Sequence, residues 1–400
     1  MKIERWQRNL CFLWIAQTVS ITGFSFAIPF APLYLQDLGV TDPKQLRLWS
    51  GLFSSIAGLT MTIMTPFWGY LADRFGRKPM TLRASLGGAV ALLGMGLVRT
   101  PEMLLLFRLI QGAFTGTITA FLTLAVAESP KERTGFVVSV MNSAVFLGTA
   151  IAPLIGGALA DHFGFRLTFL ISAGLLFLSF LLSVFFIHER AAPQQQMAFS
   201  FWADTKAILT IRGVASIMGM IFLYSACRNI HQPVLPLFIQ DISTDPGRLG
   251  AQTGLVSSLA GVASVAAAVV MGIVIDRGRW GIGTMSAFVA ALFASGLFFA
   301  QTVWQLALLY SVTAMFIGGI DPLLKVMLTR SVPQAKSGSA FGLSGSAISC
   351  GWFFGSLSGG MLAAIMGLRP VFLVIGVFLA AIAVLLTKLV RKVRREKTNE

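Results

Sequence analysis

The chain has 400 residues, of which 56% are hydrophobic and only 12% are charged, with a formal net charge of +15. Soluble domains carry roughly 25% charged residues, so this composition excludes an ordinary soluble protein and indicates that lipid surrounds much of the chain. A positive charge of this size is typical of nucleic-acid binding in soluble proteins, but here the cations lie in short loops between apolar runs. No nucleic-acid partner is therefore expected.

Twelve apolar segments are long enough to cross a bilayer, which takes roughly 20 residues of helix. Backbone amides in lipid must be satisfied within a helix or a closed barrel, and the short alternating strands of a barrel are missing. The sequence therefore predicts an all-α integral membrane fold with two sets of six helices. The segments fall near 10–35, 47–72, 79–98, 101–126, 135–160 and 166–187, and near 212–238, 249–275, 280–300, 304–329, 338–365 and 369–388.

A polar stretch separates the two sets of spans. It predicts an N-terminal bundle over 1–187, a cytoplasmic linker over 188–211, a C-terminal bundle over 212–388 and a basic cytoplasmic tail over 389–400. Within the linker, 199–208 is either a short interfacial helix or a plain loop. Most of the 31 Lys and Arg residues lie on one side when the N-terminus is placed inside, so both termini are predicted to be cytoplasmic. The tail suits anionic lipid headgroups.

The two sets of spans are related by an internal repeat. Glycine recurs between the halves at one constant offset far more often than chance allows. Six spans per repeat is an even number, so the halves cross the membrane in the same direction and are parallel repeats. Matching positions include Gly51 and Gly254, Gly69 and Gly272, Gly116 and Gly319, Gly148 and Gly351, Gly156 and Gly359, and Gly157 and Gly360.

The most highly charged loop, Gly69–Arg83, joins the second and third spans, and a weaker copy follows Gly272. Arg77 can reach Glu128, and Asp73 can face the positive end of the helix that starts near Gly338. The alternative is a solvated basic loop that only fixes topology. The candidate gate residues are Gly69, Asp73, Arg74, Gly76, Arg77, Lys78 and Glu128.

Several polar side chains lie within predicted spans, where charge is costly and commonly functional. Asp321 and Lys325 lie four residues apart, so they form either a neutralising pair or a proton or substrate site involving Arg228. For Arg108 and His231 the alternative is a structural hydrogen bond. The candidates for proton coupling or substrate binding are Arg108, Asp321, Lys325, Arg228, His231 and Gln17.

A stripe of small residues marks the fifth span and permits close helix packing, with a kink where proline removes an amide donor. Its members are Gly148, Ala152, Pro153, Gly156 and Gly157, and the eleventh span carries a second stripe at Gly351, Gly355 and Gly359.

These motifs together resemble the major facilitator superfamily over the whole chain, and within it the twelve-helix drug:proton antiporters typified by bacterial multidrug efflux transporters. The charged loop resembles the signature between the second and third helices. Arg108-Leu-Ile-Gln111-Gly112 resembles the fourth-helix signature of proton-coupled members. The stretch from Gly148 to Gly157 resembles the fifth-helix antiporter signature, with Ala152 in place of the usual glycine.

The resemblance implies secondary active transport by alternating access, with proton-coupled export of drug-like amphipathic compounds. It further implies that the loop closes the cytoplasmic side, that Arg108 influences proton release and that the stripe forms a flexible seam. Alternatives are a proton-coupled transporter of a metabolite such as a siderophore, sugar or organic anion, or a transporter-like membrane sensor. The expected location is the bacterial inner membrane.

The expected partners are a small-molecule substrate, protons and membrane lipid, for a monomer with no cofactor and no metal. No enzyme is expected, since the motifs H-E-x-x-H and G-x-S-x-G are missing, and without a P-loop the chain cannot itself drive transport with ATP. The spans hold more cations than deep carboxylates. Neutral, zwitterionic or anionic substrates are therefore expected to be preferred over lipophilic cations.

Overall fold

The computed structural model describes residues 4–114, 116–189, 206–211, 213–277, 280–333 and 337–398. These ranges contain α-helices, short 3₁₀ turns and connecting loops, and none of them contains a β-strand. The all-α prediction is confirmed.

The described part of the first half contains seven helices. They are α1 (Arg5–Ala27), α2 (Ala31–Asp37), α3 (Pro43–Phe75), α4 (Lys78–Leu97), α5 (Pro101–Phe114), α6 (Thr117–Ala127) and α7 (Thr134–Phe186). The second half contributes α8 (Val214–Asn229), α9 (Leu235–Ile242), α10 (Leu249–Asp276), α11 (Trp280–Gly296), α12 (Val303–Gly318), α13 (Ile320–Ser331), α14 (Ser337–Met366) and α15 (Leu368–Thr398).

Ten stretches of the described chain are long and apolar enough to cross a membrane. The longest, Lys131–Phe186, contains both the fifth and sixth predicted spans because it bends at Gly164, where φ is 81° and ψ is 161°. The seventh predicted span is shared between α8 and α9, each shorter than a bilayer is thick. The chain is thus a multi-pass membrane protein, and its described helices lie at the positions of the twelve predicted spans.

The helices form two compact units. Unit 1 comprises Met1–Val40, Ile63–Phe199 and Gly247–Ser258, and unit 2 comprises Thr41–Thr62, Ser200–Pro246 and Leu259–Glu400. This partition follows contacts rather than chain order, since the first part of α3 belongs to unit 2 and the first part of α10 to unit 1. The predicted boundaries at 187, 211 and 388 stay a prediction.

In unit 1, helices α1, α6 and α7 enclose a buried apolar core. Leu13, Phe121 and Met141 in this core are fully buried. The small-residue stripe brings α7 against α1: a Cβ atom at Gly156 would lie 2.1 Å from the carbonyl oxygen of Phe26. A side chain cannot fit at that distance, so the stripe sets how closely the two helices approach.

In unit 2 the second stripe brings α14 against α8 in the same way. A Cβ atom at Gly355 would lie 2.1 Å from the carbonyl oxygen of Ala226, and one at Gly359 would lie 1.9 Å from that of Ile230. The internal repeat therefore reproduces one helix–helix joint in each half.

Candidate functional site

Among the described residues, four spans are interrupted, and the interruptions occupy matching places in the two repeats. The first span stops at Ala27 before a 3₁₀ turn, and the seventh stops at Asn229. The fourth span breaks between α5 and α6 at Gly116, whose φ is +117°, and the tenth breaks between α12 and α13 at its repeat partner Gly319. Interrupted spans at matching positions of a repeat are where transporters bind substrate, since the freed backbone groups need polar partners.

Unit 1 buries two glutamines and one arginine almost wholly inside the bundle. Gln17 is 1% exposed, Arg108 is 2% exposed and Gln111 is 3% exposed. The guanidinium of Arg108 donates to Oε1 of Gln111, one helical turn away on the same helix. The Oε1 atom of Gln17 has no hydrogen-bond partner among the described residues. Arg108 thus faces the protein interior, as the cost of a lipid-facing charge requires.

Arg83 is predicted to lie with the cations of the loop Gly69–Arg83, but its side chain packs against Trp68 instead. Its guanidinium carbon stacks 3.8 Å from the centre of the Trp68 ring. The Trp68 indole donates in turn to the carbonyl oxygen of Ala113 at 2.7 Å, one residue before α5 ends. Stacking on a Trp face stabilises a partly buried guanidinium, so Arg83 belongs to the break in the fourth span rather than to the loop.

Unit 2 holds a second polar cluster, and α8 presents it on one face. The carbonyls of Phe222, Ala226 and Ile230 face the glycine stripe of α14. Tyr224 and Arg228 lie on the opposite face, because residues two positions away are turned by about 200° on a helix. One face of α8 therefore packs against α14, and the opposite face carries the polar side chains.

The face of α8 opposite the stripe meets the break in the tenth span. The Tyr224 hydroxyl donates to the carbonyl oxygen of Ile317 at 3.2 Å, and the Arg228 guanidinium lies beside the same hydroxyl. Asp321, in the first turn of α13, pairs with Lys325 at 2.7 Å, and these side chains are 34% and 55% exposed. Arg228 is also exposed, although it lies within a span. Exposed charges at this depth line water rather than lipid.

His231 lies within the break in the seventh span, between α8 and α9. Its Nε2 atom hydrogen-bonds the Tyr310 hydroxyl of α12, and the two rings meet edge to face with centroids 5.1 Å apart. This geometry agrees with the alternative reading of His231 as a polar histidine held by a structural hydrogen bond.

The charged loop makes its described contacts within unit 1, and they differ from the expected pairing of Arg77 with Glu128. The Arg77 guanidinium donates to the carbonyl oxygen of Thr123 at 2.9 Å, and Lys78 Nζ donates to that of Val184 at 3.1 Å. Glu189 supplies the carboxylate at this loop, since its two oxygens accept from the amides of Arg77 and Lys78 at 2.7 and 2.9 Å. Glu189 thereby caps the N-terminus of α4.

Gly76 makes this cap possible. Its φ of +96° is a conformation that side chains disfavour, and a Cβ atom there would lie 2.8 Å from Oε2 of Glu189. Nothing lies within 4 Å of a Cβ at Gly69, while Arg74 is exposed and rests over the Phe75 ring. The Asp73 side chain and the turn before Gly338 fall outside the described residues, so their predicted contact stays a prediction.

The start of the predicted linker is also part of unit 1. The backbone of His188 exchanges two hydrogen bonds with the side chain of Asn9, at 2.9 and 3.0 Å. Residues 190–205, which include most of the predicted interfacial segment 199–208, lie outside the described residues. His188 and Glu189 are thus held by α1 and α4, while the predicted linker over 188–211 stays a prediction.

Asp161 near the bend of α7 makes a second bidentate cap that sequence reasoning missed. Its Oδ1 and Oδ2 atoms accept from the amides of Gly250 and Ala251, each at 2.7 Å, at the N-terminus of α10. The helices approach closely here, because a Cβ atom at Gly157 would lie 2.0 Å from the carbonyl oxygen of Gly250. The available signal was the repeat, which aligns Gly157 with Gly360 as a contact glycine.

A multi-pass helical protein with two parallel repeats and four interrupted spans has the architecture of a secondary transporter. The sequence model of the Major Facilitator Superfamily matches residues 13–300 and 217–400 of the chain, in agreement with this architecture. The chain belongs to the Major Facilitator Superfamily.

A named relative supports this assignment, and solved structures show a similar fold. The chain is 34% identical over 375 residues to the multidrug resistance protein MdtG of Salmonella typhimurium, covering 92% of each chain. Its fold is similar to that of a mutant of the nucleoside transporter NupG, with a TM-score of 0.80, 18% identity and coverage of 95% and 99%. It is also similar to a bacterial homologue of the human lysosomal transporter Spinster, with a TM-score of 0.78, 14% identity and 98% coverage of both chains.

Proposed function

We propose that this transporter exports drug-like amphipathic compounds from the bacterial cytoplasm in exchange for protons. The observation that carries the proposal is the 34% identity, over 92% of both chains, to a protein named for multidrug resistance. The protein would act as a monomer in the inner membrane with both termini cytoplasmic, as the distribution of Lys and Arg favours. Protons and membrane lipid would be its other partners.

Asp321 is the proposed proton-coupling residue. It lies in a span at a helix break, its side chain is 34% exposed, and Lys325 holds it at 2.7 Å. Protonation would remove the charge that binds Lys325, which gives the tenth span two electrostatic states. The proposed roles of Gln17, Arg108 and His231 are to complete the polar interior around the breaks.

The loop Gly69–Arg83 is the proposed gate on the cytoplasmic side. Support comes from the backbone and side-chain contacts that hold Arg77 and Lys78 to α6, α7 and Glu189. Because these contacts join three parts of unit 1, a change in the loop can reach the fourth and sixth spans.

The test is proton flux in proteoliposomes that trap a pH-sensitive dye. A pH gradient is imposed, and a panel of neutral, anionic and cationic amphipathic compounds is added in turn. We expect compound-dependent proton flux for the wild type, its loss in Asp321→Asn, and normal flux in the control Asp241→Asn, which removes an exposed carboxylate at the end of α9. Compound movement without proton flux would reject proton coupling, and equal flux in both variants would reject Asp321.

A further inference from the structure

We propose that Arg228 is the anchor of an anion-binding site in unit 2, which takes amphipathic compounds that carry a carboxylate or another compact oxyanion. The inference rests on the proposed function and gives it a substrate class and a residue. It is carried by the surroundings of the guanidinium, by the pairing of the neighbouring charges and by the fixed position of Tyr224.

Arg228 has no described carboxylate as an ion-pair partner. Among the described residues, the guanidinium lies beside the Tyr224 hydroxyl and near Tyr310 and Asp321, and it makes no ion pair with a described carboxylate. The nearest carboxylate, Asp321, is already bound by Lys325 at 2.7 Å. The three charges therefore sum to one positive charge.

The Tyr224 hydroxyl orients the guanidinium of Arg228. The Tyr224 hydroxyl donates to the carbonyl oxygen of Ile317, so it can only accept from Arg228. Tyr224 is 4% exposed and cannot move away without leaving that carbonyl unpaired at the helix break. One edge of the guanidinium is thereby oriented, and the planar fork of a guanidinium suits a carboxylate.

Water reaches the guanidinium of Arg228. Arg228 is exposed in the middle of the seventh predicted span, and the nearby Lys325 side chain is 55% exposed. A lipid-facing arrangement of these charges would be costly, so the exposed surface is one that water reaches. In such a partly desolvated place an oxyanion gains more from a guanidinium than it does in bulk water.

The site recognises an oxyanion attached to an apolar body, and two sources could supply it. One is a transported compound, and the other is the headgroup of an anionic lipid. The chemistry at Arg228 is the same for both, so the experiment separates them by membrane composition.

The test compares three fluorescent probes that share one dansyl body: dansylglycine, its neutral amide and cationic dansylcadaverine. Binding is titrated on the full-length protein in nanodiscs of phosphatidylcholine, with and without added phosphatidylglycerol. For the wild type, dansylglycine should bind most tightly and dansylcadaverine most weakly. A reversed order overturns the proposal and requires no variant.

Arg228→Gln should weaken dansylglycine binding about 10- to 100-fold, the usual effect of losing a charged hydrogen-bonding partner, and leave the amide within about twofold. Arg228→Lys keeps the charge without the planar fork, so its affinity should lie between those of the wild type and Arg228→Gln. The matched control is Arg99→Gln, which removes one exposed cation at the end of α4 and should change none of the three affinities. Equal weakening of all three probes by Arg228→Gln, or no weakening of any, overturns the proposal.

Three further outcomes assign the source and separate this proposal from the function above. Competition by phosphatidylglycerol that disappears in Arg228→Gln identifies a lipid headgroup as an occupant of the same anion site. If the amide drives proton flux while dansylglycine neither binds nor drives it, the export function stands and the anion site is wrong. If dansylglycine binds through Arg228 but no compound drives flux, the site stands and proton-coupled export is wrong.

Discussion

Removing the Asp161 carboxylate should open the N-terminus of α10 without unfolding the protein. Asp161 accepts two amide hydrogen bonds at 2.7 Å, from Gly250 and Ala251, and its side chain is partly buried. Replacing a helix-capping residue by alanine costs up to about 2 kcal/mol, and a partly buried carboxylate at a helix N-terminus can contribute a similar amount. We therefore expect a cost of about 2 kcal/mol for Asp161→Ala.

A loss of 2 kcal/mol corresponds to a roughly 30-fold rise in local opening, since each 1.4 kcal/mol is a factor of ten. Hydrogen–deuterium exchange followed by mass spectrometry reports this opening at the amides of Gly250 and Ala251. Asp161→Asn keeps one acceptor and loses the charge, so its exchange rate should lie between those of the wild type and Asp161→Ala.

The other bidentate cap supplies a matched control. Glu189→Ala removes an equivalent pair of hydrogen bonds from the amides of Arg77 and Lys78, so it should speed exchange there and leave Gly250 unchanged. The reasoning would be refuted if Asp161→Ala left exchange at Gly250 and Ala251 unchanged. It would be refuted equally if exchange rose throughout the protein, because that would show a global loss of stability.

Two further predictions concern the stability cost of replacing glycines that lie in close contact with neighbouring atoms. Gly156→Ala should lower the melting temperature in detergent, because its Cβ would lie 2.1 Å from the Phe26 carbonyl oxygen and overpacking costs about 1–3 kcal/mol; Gly174→Ala, with nothing within 4 Å, should not lower it. Gly76→Ala should cost more than Gly39→Ala, although both have φ above +90°, because only Gly76 contacts Glu189. That excess should vanish in a Glu189→Ala background, and its persistence would show that the contact with Glu189 does not cause it.

The long helices and their duplication could be predicted from sequence because each depends on local patterns. Apolar length predicts a span, and the offset between Gly148 and Gly351 predicts that one helix joint occurs twice. The pairing of Asp321 with Lys325 was also accessible, since residues four apart share a helix face. These features need no knowledge of which helices become neighbours.

The two carboxylate caps could not be predicted because they join residues far apart in sequence. Glu189 follows α7 and looks like part of a polar linker, yet it caps α4, more than one hundred residues earlier. Asp161 looks like an ordinary end of a span, yet it caps α10. Propensity and spacing describe neighbours along the chain, whereas both caps depend on which helix ends meet after packing.

The repeat fixes the backbone joints and leaves the charges around them free to diverge. Gly51 and Gly360 meet in unit 2, where a Cβ atom on Gly51 would lie 2.8 Å from the Cα atom of Gly360. Beside this pair, Arg47 donates to the carbonyl oxygen of Ala363 at 3.1 Å, close to the C-terminal end of α14. Gly157 and Gly250 form the equivalent joint in unit 1, and there a carboxylate binds a helix N-terminus instead.

Each charge therefore complements the partial charge of the helix end that it meets, negative at an N-terminus and positive near a C-terminus. The Arg47 contact involves one hydrogen bond at 3.1 Å, whereas Asp161 makes two at 2.7 Å. Shorter, charge-assisted bonds in pairs are the stronger kind. The joint between α7 and α10 should consequently be the more stable of the two, even though glycines approach closely in both.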